Sequence, residues 1–172
     1  MTIRLASGLT KDSIVDGAGL RAVIWVQGCP HHCPECHNPQ THAPCGGFES
    51  DPDTIISQLD SLKLQQGVTF SGGEPFLYPL ELSTIARYAH GRGWDVWSYS
   101  GYTFEQLTAP DSPAYSDRME LLHNIDILVD GRYIKDLRDL SIRFRGSSNQ
   151  RIIDVKKSLI AGSAIIATEY QK

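Results

Sequence analysis

The sequence predicts an α/β protein, an open, partial (βα) barrel built on a mainly parallel sheet. Three observations carry that prediction. Short β-rich apolar runs alternate with segments of helical periodicity along the 172 residues, the pattern made by parallel strands joined through helical crossovers. Too few such units are present to close an eight-fold barrel. The strands also run into Gly-containing polar turns: Gln27-Gly28-Cys29, Ser71-Gly72-Gly73-Glu74, Tyr99-Ser100-Gly101-Tyr102 and Asp130-Gly131-Arg132. In a parallel sheet those turns share one edge, where α/β enzymes place their chemistry, so topology alone predicts a cavity common to all four.

Taken in order, "RAVIWVQ" (21–27) reads as a buried strand that delivers the chain to a cysteine-rich loop. "PDTIISQLDSLK" (52–63) carries Ile55, Ile56, Leu59 and Leu62 at helical spacing. "GVTFS" (67–71) is a short strand and "PLELSTIARYAH" (79–90) a second amphipathic helix. "WDVWSYS" (94–100) is a third strand, helical turns fall within 103–124, "IDILVD" (125–130) is a fourth strand and "RIIDV" (151–155) a fifth. No repeat, low-complexity tract or linker interrupts the series. Residues 1–172 are therefore expected to form one domain, of a size that buries roughly 70% of its unfolded surface.

The composition, 41% hydrophobic and 21% charged, is that of an ordinary globular protein. A formal net charge of −4 gives no electrostatic case for a nucleic-acid partner. No apolar run approaches the ~20 residues that span a bilayer, and the opening "MTIRLASGLTK" lacks the apolar core of a signal peptide. A cytoplasmic location without membrane partners is expected.

All four cysteines fall within residues 29–45. Disulfides staple small secreted folds along their whole length, so this bunching favours a metal site in a reducing compartment. Cys29, Cys33 and Cys36 lie in "GCPHHCPECHN" (28–38), where Gly28 lets the chain turn off its strand and Pro30 and Pro34 stiffen the loop. Three thiolates suit a [4Fe–4S] cluster with one iron left for another ligand. Three other readings stay open: Cys45 as a fourth thiolate, zinc completed by His31, His32, His37 or His42, and inert buried thiols. One βα unit later comes "SGGEP" (71–75). Its adjacent glycines allow close backbone approach to a ligand, and Glu74 offers an anionic acceptor for an ammonium group. Taken alone, it reads more readily as a plain βα turn.

Cys29-x3-Cys33-x2-Cys36 and Gly72-Gly73-Glu74-Pro75 together resemble the cluster signature and the cofactor-amino motif of the radical S-adenosylmethionine (SAM) enzymes. "SIVDGAGLRAVIWVQGCPHHCPECHNPQTH", "SGGEP", "WSYSGYT", "ILVDGRY" and "FRGSSNQRIIDV" resemble, in order and from residue 13 to about 155, the activating proteins of anaerobic ribonucleoside-triphosphate reductase. Two positions depart from the pattern. Ala18 stands where that family usually has proline, and Glu35 stands where many radical SAM enzymes carry an aromatic residue.

The resemblance implies a barrel of the radical SAM type and one [4Fe–4S] cluster per chain on Cys29, Cys33 and Cys36. It implies SAM bound at the open iron, with Gly72, Gly73 and Glu74 positioning its amino group. The segment Glu35-Cys36-His37 is expected to contact the cofactor. Ser100 and Asp130, at later strand ends, are expected either to face its ribose or carboxylate or, equally, to stabilise their turns. Cys45 is expected to be a spare thiol, and Arg145, Ser148 and Asn149 a cap and turn. The implied oxidoreductase chemistry begins when a donor such as flavodoxin reduces the cluster. The electron passes to the SAM sulfonium, giving methionine and a 5′-deoxyadenosyl radical, which takes a Cα hydrogen from a glycine of the reductase large subunit. A complex with two copies of each chain is the implied assembly. The competing functions are another radical SAM enzyme, activating a different glycyl-radical enzyme or modifying a small molecule, and a non-enzymatic iron–sulfur or zinc module.

Overall fold

The computed structural model describes residues 1–171. Lys172, the last residue of the expected domain, lies outside the described residues. The chain opens with β1 (Ile3–Leu5), β2 (Thr10–Ser13), β3 (Arg21–Val26) and β4 (Phe48–Ser50). It continues through α1 (Pro52–Asp60), β5 (Gly67–Gly72), α2 (Pro79–Gly91) and β6 (Asp95–Ser100). The last elements are α3 (Phe104–Leu107), α4 (Tyr115–Leu122), β7 (Ile127–Asp130), β8 (Arg151–Asp154) and α5 (Val155–Ala161). The five expected strands and the two expected helices all form, although α1 stops at Asp60 rather than at Lys63.

The strands join one mixed sheet in the order β4-β1-β3-β5-β6-β7-β8, with β2 also on β3. β3, β5, β6 and β7 are parallel neighbours in chain order. β8 returns antiparallel on β7, because the segment between them contains no helical crossover of the kind a parallel partner needs. A strand order that advances in one direction, with right-handed crossovers, puts every crossover helix on the same face.

Strand parity divides the sheet into two surfaces. Ala22, Ile24, Val26, Val68, Phe70, Val96 and Leu128 meet the apolar stripes of the helices: Ile55 and Leu59 from α1, Leu82, Ile85 and Ala89 from α2, Leu121 and Leu122 from α4. The helices are started by their own polar caps. Asp51 accepts from the Thr54 amide, Thr103 and Gln106 form a reciprocal capping box, and Asp154 accepts from the Lys157 amide. The opposite face carries a smaller cluster of Trp97, Ile127, Val129, Ile152 and Ala167, covered by Phe144 and Tyr170 instead of a helix.

At the N-terminal end of that second face Arg21 is fully buried, its guanidinium donating to Thr69 Oγ1 (2.7 Å) and pairing with Asp95 (2.7 Å). Burial pulls its pKa down, and the Asp95 charge restores only part of that. Towards the C-terminal end the same face presents Trp25, Ser71 and Tyr99, and there it is open.

Candidate metal centre and cofactor cavity

A cavity of about 430 Å³ opens where the parallel strands end, and Trp25, Ser71 and Tyr99 line it from the sheet. That volume lies within the roughly 300–1,000 Å³ of small-molecule sites. Cys29, Cys33 and Cys36 all line it, as do Gly72, Gly73, Ser100 and Gly101 from the next two turns. The shared cavity that strand order predicted is therefore present, and Gly131 and Tyr133 bring in the fourth turn.

The cysteine loop is held at its base. Gly28, at φ +97°, turns the chain off β3, and its amide donates to Thr41 O (2.8 Å) while the Cys29 amide donates to His42 O (3.2 Å). Gln27 secures the return strand of the loop by donating to Ala43 O (2.6 Å) and Gln40 O (3.1 Å). Within the loop His32 and Glu35 adopt positive φ (47° and 55°), a conformation that folds three cysteines into one short span. The Asn38 amide donates to Cys36 Sγ at 3.4 Å. Burial pushes the Cys29 and Cys33 thiols up, although the backbone N–H groups of His31 and His32, and of Tyr133, pull them part of the way back. A metal binding here displaces protons as it binds.

All four cysteines are free, and Cys45 is exposed and outside the cavity wall. Among the described residues, no group of three or more His, Cys, Asp or Glu side chains converges closely enough to hold a single ion. Zinc needs its donors to meet at one point at about 2.0–2.3 Å, whereas a cubane gives each thiolate its own iron. The donor set thus fits a cluster better than a lone ion. His42, one of four histidines the zinc reading could use, lies edge-on to another of them, His32, with ring centres 5.2 Å apart.

The glycine turn differs from its expected role. A Cβ on Gly73 would lie 2.1 Å from Gly28 O, and one on Gly72, itself at φ +100°, 2.6 Å from Val26 O. The close approach these glycines permit is to the backbone of β3 and the cysteine loop. The Gly73 amide donates to Val26 O and the Glu74 amide to Gly28 O, each at 2.8 Å.

Glu74 is fully buried and absent from the cavity wall. Its carboxylate accepts from the amides of Phe76 (3.0 Å) and Gly101 (2.9 Å) and from the Ser100 hydroxyl (3.0 Å), and lies 2.7 Å from His31 Nε2. With those donors in place it has no free edge for an ammonium ion, which corrects the direct contact expected of it. Asp130, 1% exposed, is likewise behind the wall, accepting from the Phe104 amide (2.7 Å) and from Arg151. The turn-stabilising alternative is the one its geometry matches.

Cys36 and His37 line the cavity, and His37 packs on Tyr133 with ring centres 5.1 Å apart. Glu35 faces outward in an exposed ion pair with Lys135. Of the 145–149 segment, Ser148 and Asn149 shape a turn, whereas Arg145 lines the cavity with its Nε buried and unpartnered. Sequence reasoning missed Trp25, Tyr99, Tyr133 and the His31–Glu74 pair. Counting alternate residues along β3, β5 and β6 would have found the first two.

Comparison with known proteins follows the same lines. Residues 15–153 match the family described as "4Fe-4S single cluster domain", so the class is that of a [4Fe–4S] protein. The chain is 36% identical over 146 residues to the anaerobic ribonucleoside-triphosphate reductase-activating protein of Escherichia coli strain K12, covering 80% of this chain and 90% of that one. The protein of the same name from Pasteurella multocida strain Pm70 is 34% identical over 148 residues (81% and 90%), and that of Enterobacteria phage T4 33% identical over 145 (80% and 86%). The chain belongs to the anaerobic ribonucleoside-triphosphate reductase-activating protein family. Among solved structures, QueE from Escherichia coli overlaps 59% of this chain and 53% of its own, with a TM-score of 0.47 and 14% identity.

Proposed function

We propose that this chain is a radical SAM activase that installs a glycyl radical on an anaerobic ribonucleoside-triphosphate reductase, acting as a single open partial barrel. The observation that carries the reading is that three cysteines, and not Cys45, open onto the cavity that the Gly72–Gly73 turn also lines. Cys29, Cys33 and Cys36 would hold the [4Fe–4S] cluster, leaving one iron for the donors of SAM. Loaded with cluster and SAM, the site would supply the one-electron chemistry needed to take a hydrogen atom from a glycine Cα.

The chain's own groups bind and orient. Backbone at Gly72–Gly73 faces the ammonium end, Arg145 brings its cationic side chain to the cavity wall for the carboxylate, and the rings of Trp25 and Tyr99 give the flat apolar surface an adenine needs. Cys36 and His37 line the cofactor space. Glu35, Glu74 and Asp130 act through the elements they hold, and Ser100 adds both a cavity face and a bond to Glu74. Among the described residues no helix is long and apolar enough to cross a membrane. A cytoplasmic protein working with a flavodoxin-like donor, in a complex with two copies of each chain, completes the proposal.

Anaerobic reconstitution with iron and sulfide, followed by the reductase, SAM and a reductant, tests it by electron paramagnetic resonance. A glycyl radical on the reductase that requires SAM is expected. A loaded cluster with no radical on this reductase, but one on a different glycyl-radical enzyme, would move the assignment to that partner. Zinc in place of iron would end it.

A further inference from the structure

The parallel strands stop at Val26, Gly72, Ser100 and Asp130, and beyond them the ladder no longer sets the spacing of the turns. The glycine turn is tied to the cysteine loop by backbone, through Gly73 and Glu74 amides donating to Val26 O and Gly28 O. Those bonds reach only the base of the loop. The part that carries Cys33 has a different anchor, His31.

His31 is held from three sides. Its Nε2 lies 2.7 Å from Glu74 Oε2, with only 4% of its side chain exposed against 0% for Glu74. Gly101 packs directly on the imidazole, so closely that a Cβ there would lie 2.3 Å from His31 Cδ2. The Tyr102 ring meets the His31 ring edge-on at 4.5 Å between centres. Glu74 in turn holds the β6 turn through the Ser100 hydroxyl and the Gly101 amide. One buried carboxylate therefore gathers the cysteine loop, the glycine turn and the β6 turn at a single point. His31 stands midway between Cys29 and Cys33, and the left-handed His32 follows at once. The orientation of the His31 backbone thus fixes the direction in which the chain leaves for Cys33.

We propose that His31, through Glu74, is a positioning residue that sets the spacing between the cluster thiolates and the Gly72–Gly73 backbone. This rests on the reading above, in which the cluster and SAM meet in that space. The cluster itself needs only three thiolates on a loop anchored at its base, so it survives loss of His31. The cofactor must bridge the cluster and the glycine turn, so its binding does not. Glutamine at 31 can present an N–H towards Glu74, and alanine cannot.

The test uses the full chain, reconstituted anaerobically with iron and sulfide, as wild type, His31→Ala, His31→Gln and Ser100→Ala. Three quantities are measured: iron and sulfide per chain, the SAM dissociation constant, and the change in the reduced cluster's paramagnetic resonance spectrum when SAM is added. His31→Ala is expected to keep its iron and sulfide while its SAM affinity falls about tenfold or more, the scale of a lost hydrogen bond to a charged group. Its spectral response to SAM should shrink in parallel, and His31→Gln should recover most of both. Ser100→Ala should weaken SAM binding in the same direction with iron retained. SAM affinity and spectral response equal to wild type in His31→Ala would overturn the positioning role. So would loss of iron in step with loss of affinity in both alanine variants, since that marks a scaffold residue only. A wild-type cluster that ignores SAM would overturn the functional reading instead, and the two failures are told apart by the wild-type spectrum.

Discussion

Glu74 was expected at the cofactor and Asp130 either there or, equally, at its turn, and each spends its carboxylate on neighbouring turns. Val26, Gly72, Ser100 and Asp130 fall on the helix-side parity of their strands, one residue beyond the inward row of Trp25, Ser71, Tyr99 and Val129. For Asp130 the result is a buried carboxylate joining the start of α3 to β8 through Phe104 and Arg151. Asp130→Asn keeps an acceptor for the amide and loses the charge facing Arg151. It should destabilise the chain by about 1–3 kcal/mol in denaturant unfolding, with SAM affinity changed by less than about twofold. A cofactor ligand would show the opposite split. The cysteines divide by the same logic of placement. Cys45→Ser should leave iron per chain unchanged after reconstitution, whereas Cys33→Ser should lower it sharply, because Cys33, with Cys29 and Cys36, lines the cavity and Cys45 does not. Iron lost from Cys45→Ser would restore the closed-cluster reading.

At the opposite edge of the sheet, Asp126 ties elements together. It receives His90 of α2 (2.8 Å), the Val96 amide of β6 (2.8 Å) and Lys156 of α5 (2.9 Å). Burial pushes its carboxyl up, but the bonds from His90, Lys156 and Val96 together outweigh that, and its pKa ends below the usual aspartate value. A group depressed in the folded state contributes stability that is complete above its unfolded pKa, about 3.9, and is lost as pH falls through the lower folded value. Unfolding free energy should therefore decline below about pH 4, and Asp126→Asn should start lower at neutral pH and decline less steeply in acid. An acid limb of unchanged slope would remove Asp126 from the account.

The elements themselves were largely legible. Apolar runs flanked by Gly and helical stripes are written into 21–27, 52–63, 67–71, 79–90 and 94–100, because one face of each must be buried. β1, β2 and β4 were not, since three- and four-residue strands such as "TKDS" carry no periodic signal and form by pairing with β1 or β3. α5 was hidden behind "RIIDV", where Asp154 both ends β8 and caps the helix. In the site, spacing revealed the three cysteines, but the direction of Glu74 depended on His31, a partner 43 residues away.

Over the whole molecule, the helices cover one face of the sheet and leave the other to loops and the C-terminal segment. The cavity is consequently walled by sheet on one side and by the 14–20 and 131–150 segments on others, through Asp16, Tyr133 and Arg145. About 430 Å³ accommodates a small molecule and leaves no room for a folded chain, so a protein substrate must offer an extended segment at the mouth. Val15 lines the cavity and, with Ile14 beside it, stays exposed. Ile134, Leu137 and Leu140 are also exposed on the segment that carries Tyr133. Apolar side chains bared on segments that wall an opening favour a partner that covers them, and a partner seated there also shuts solution reactants out of the site. The intact reductase should accordingly accept the radical at least about tenfold better than a short peptide bearing the same glycine, the margin that one modest increment of binding energy, about 1.4 kcal/mol, supplies. Radical yield per SAM cleaved, measured side by side for the two substrates, decides the matter. Equal yields would mean that the cavity is complete without the reductase and that the open face has no part in catalysis.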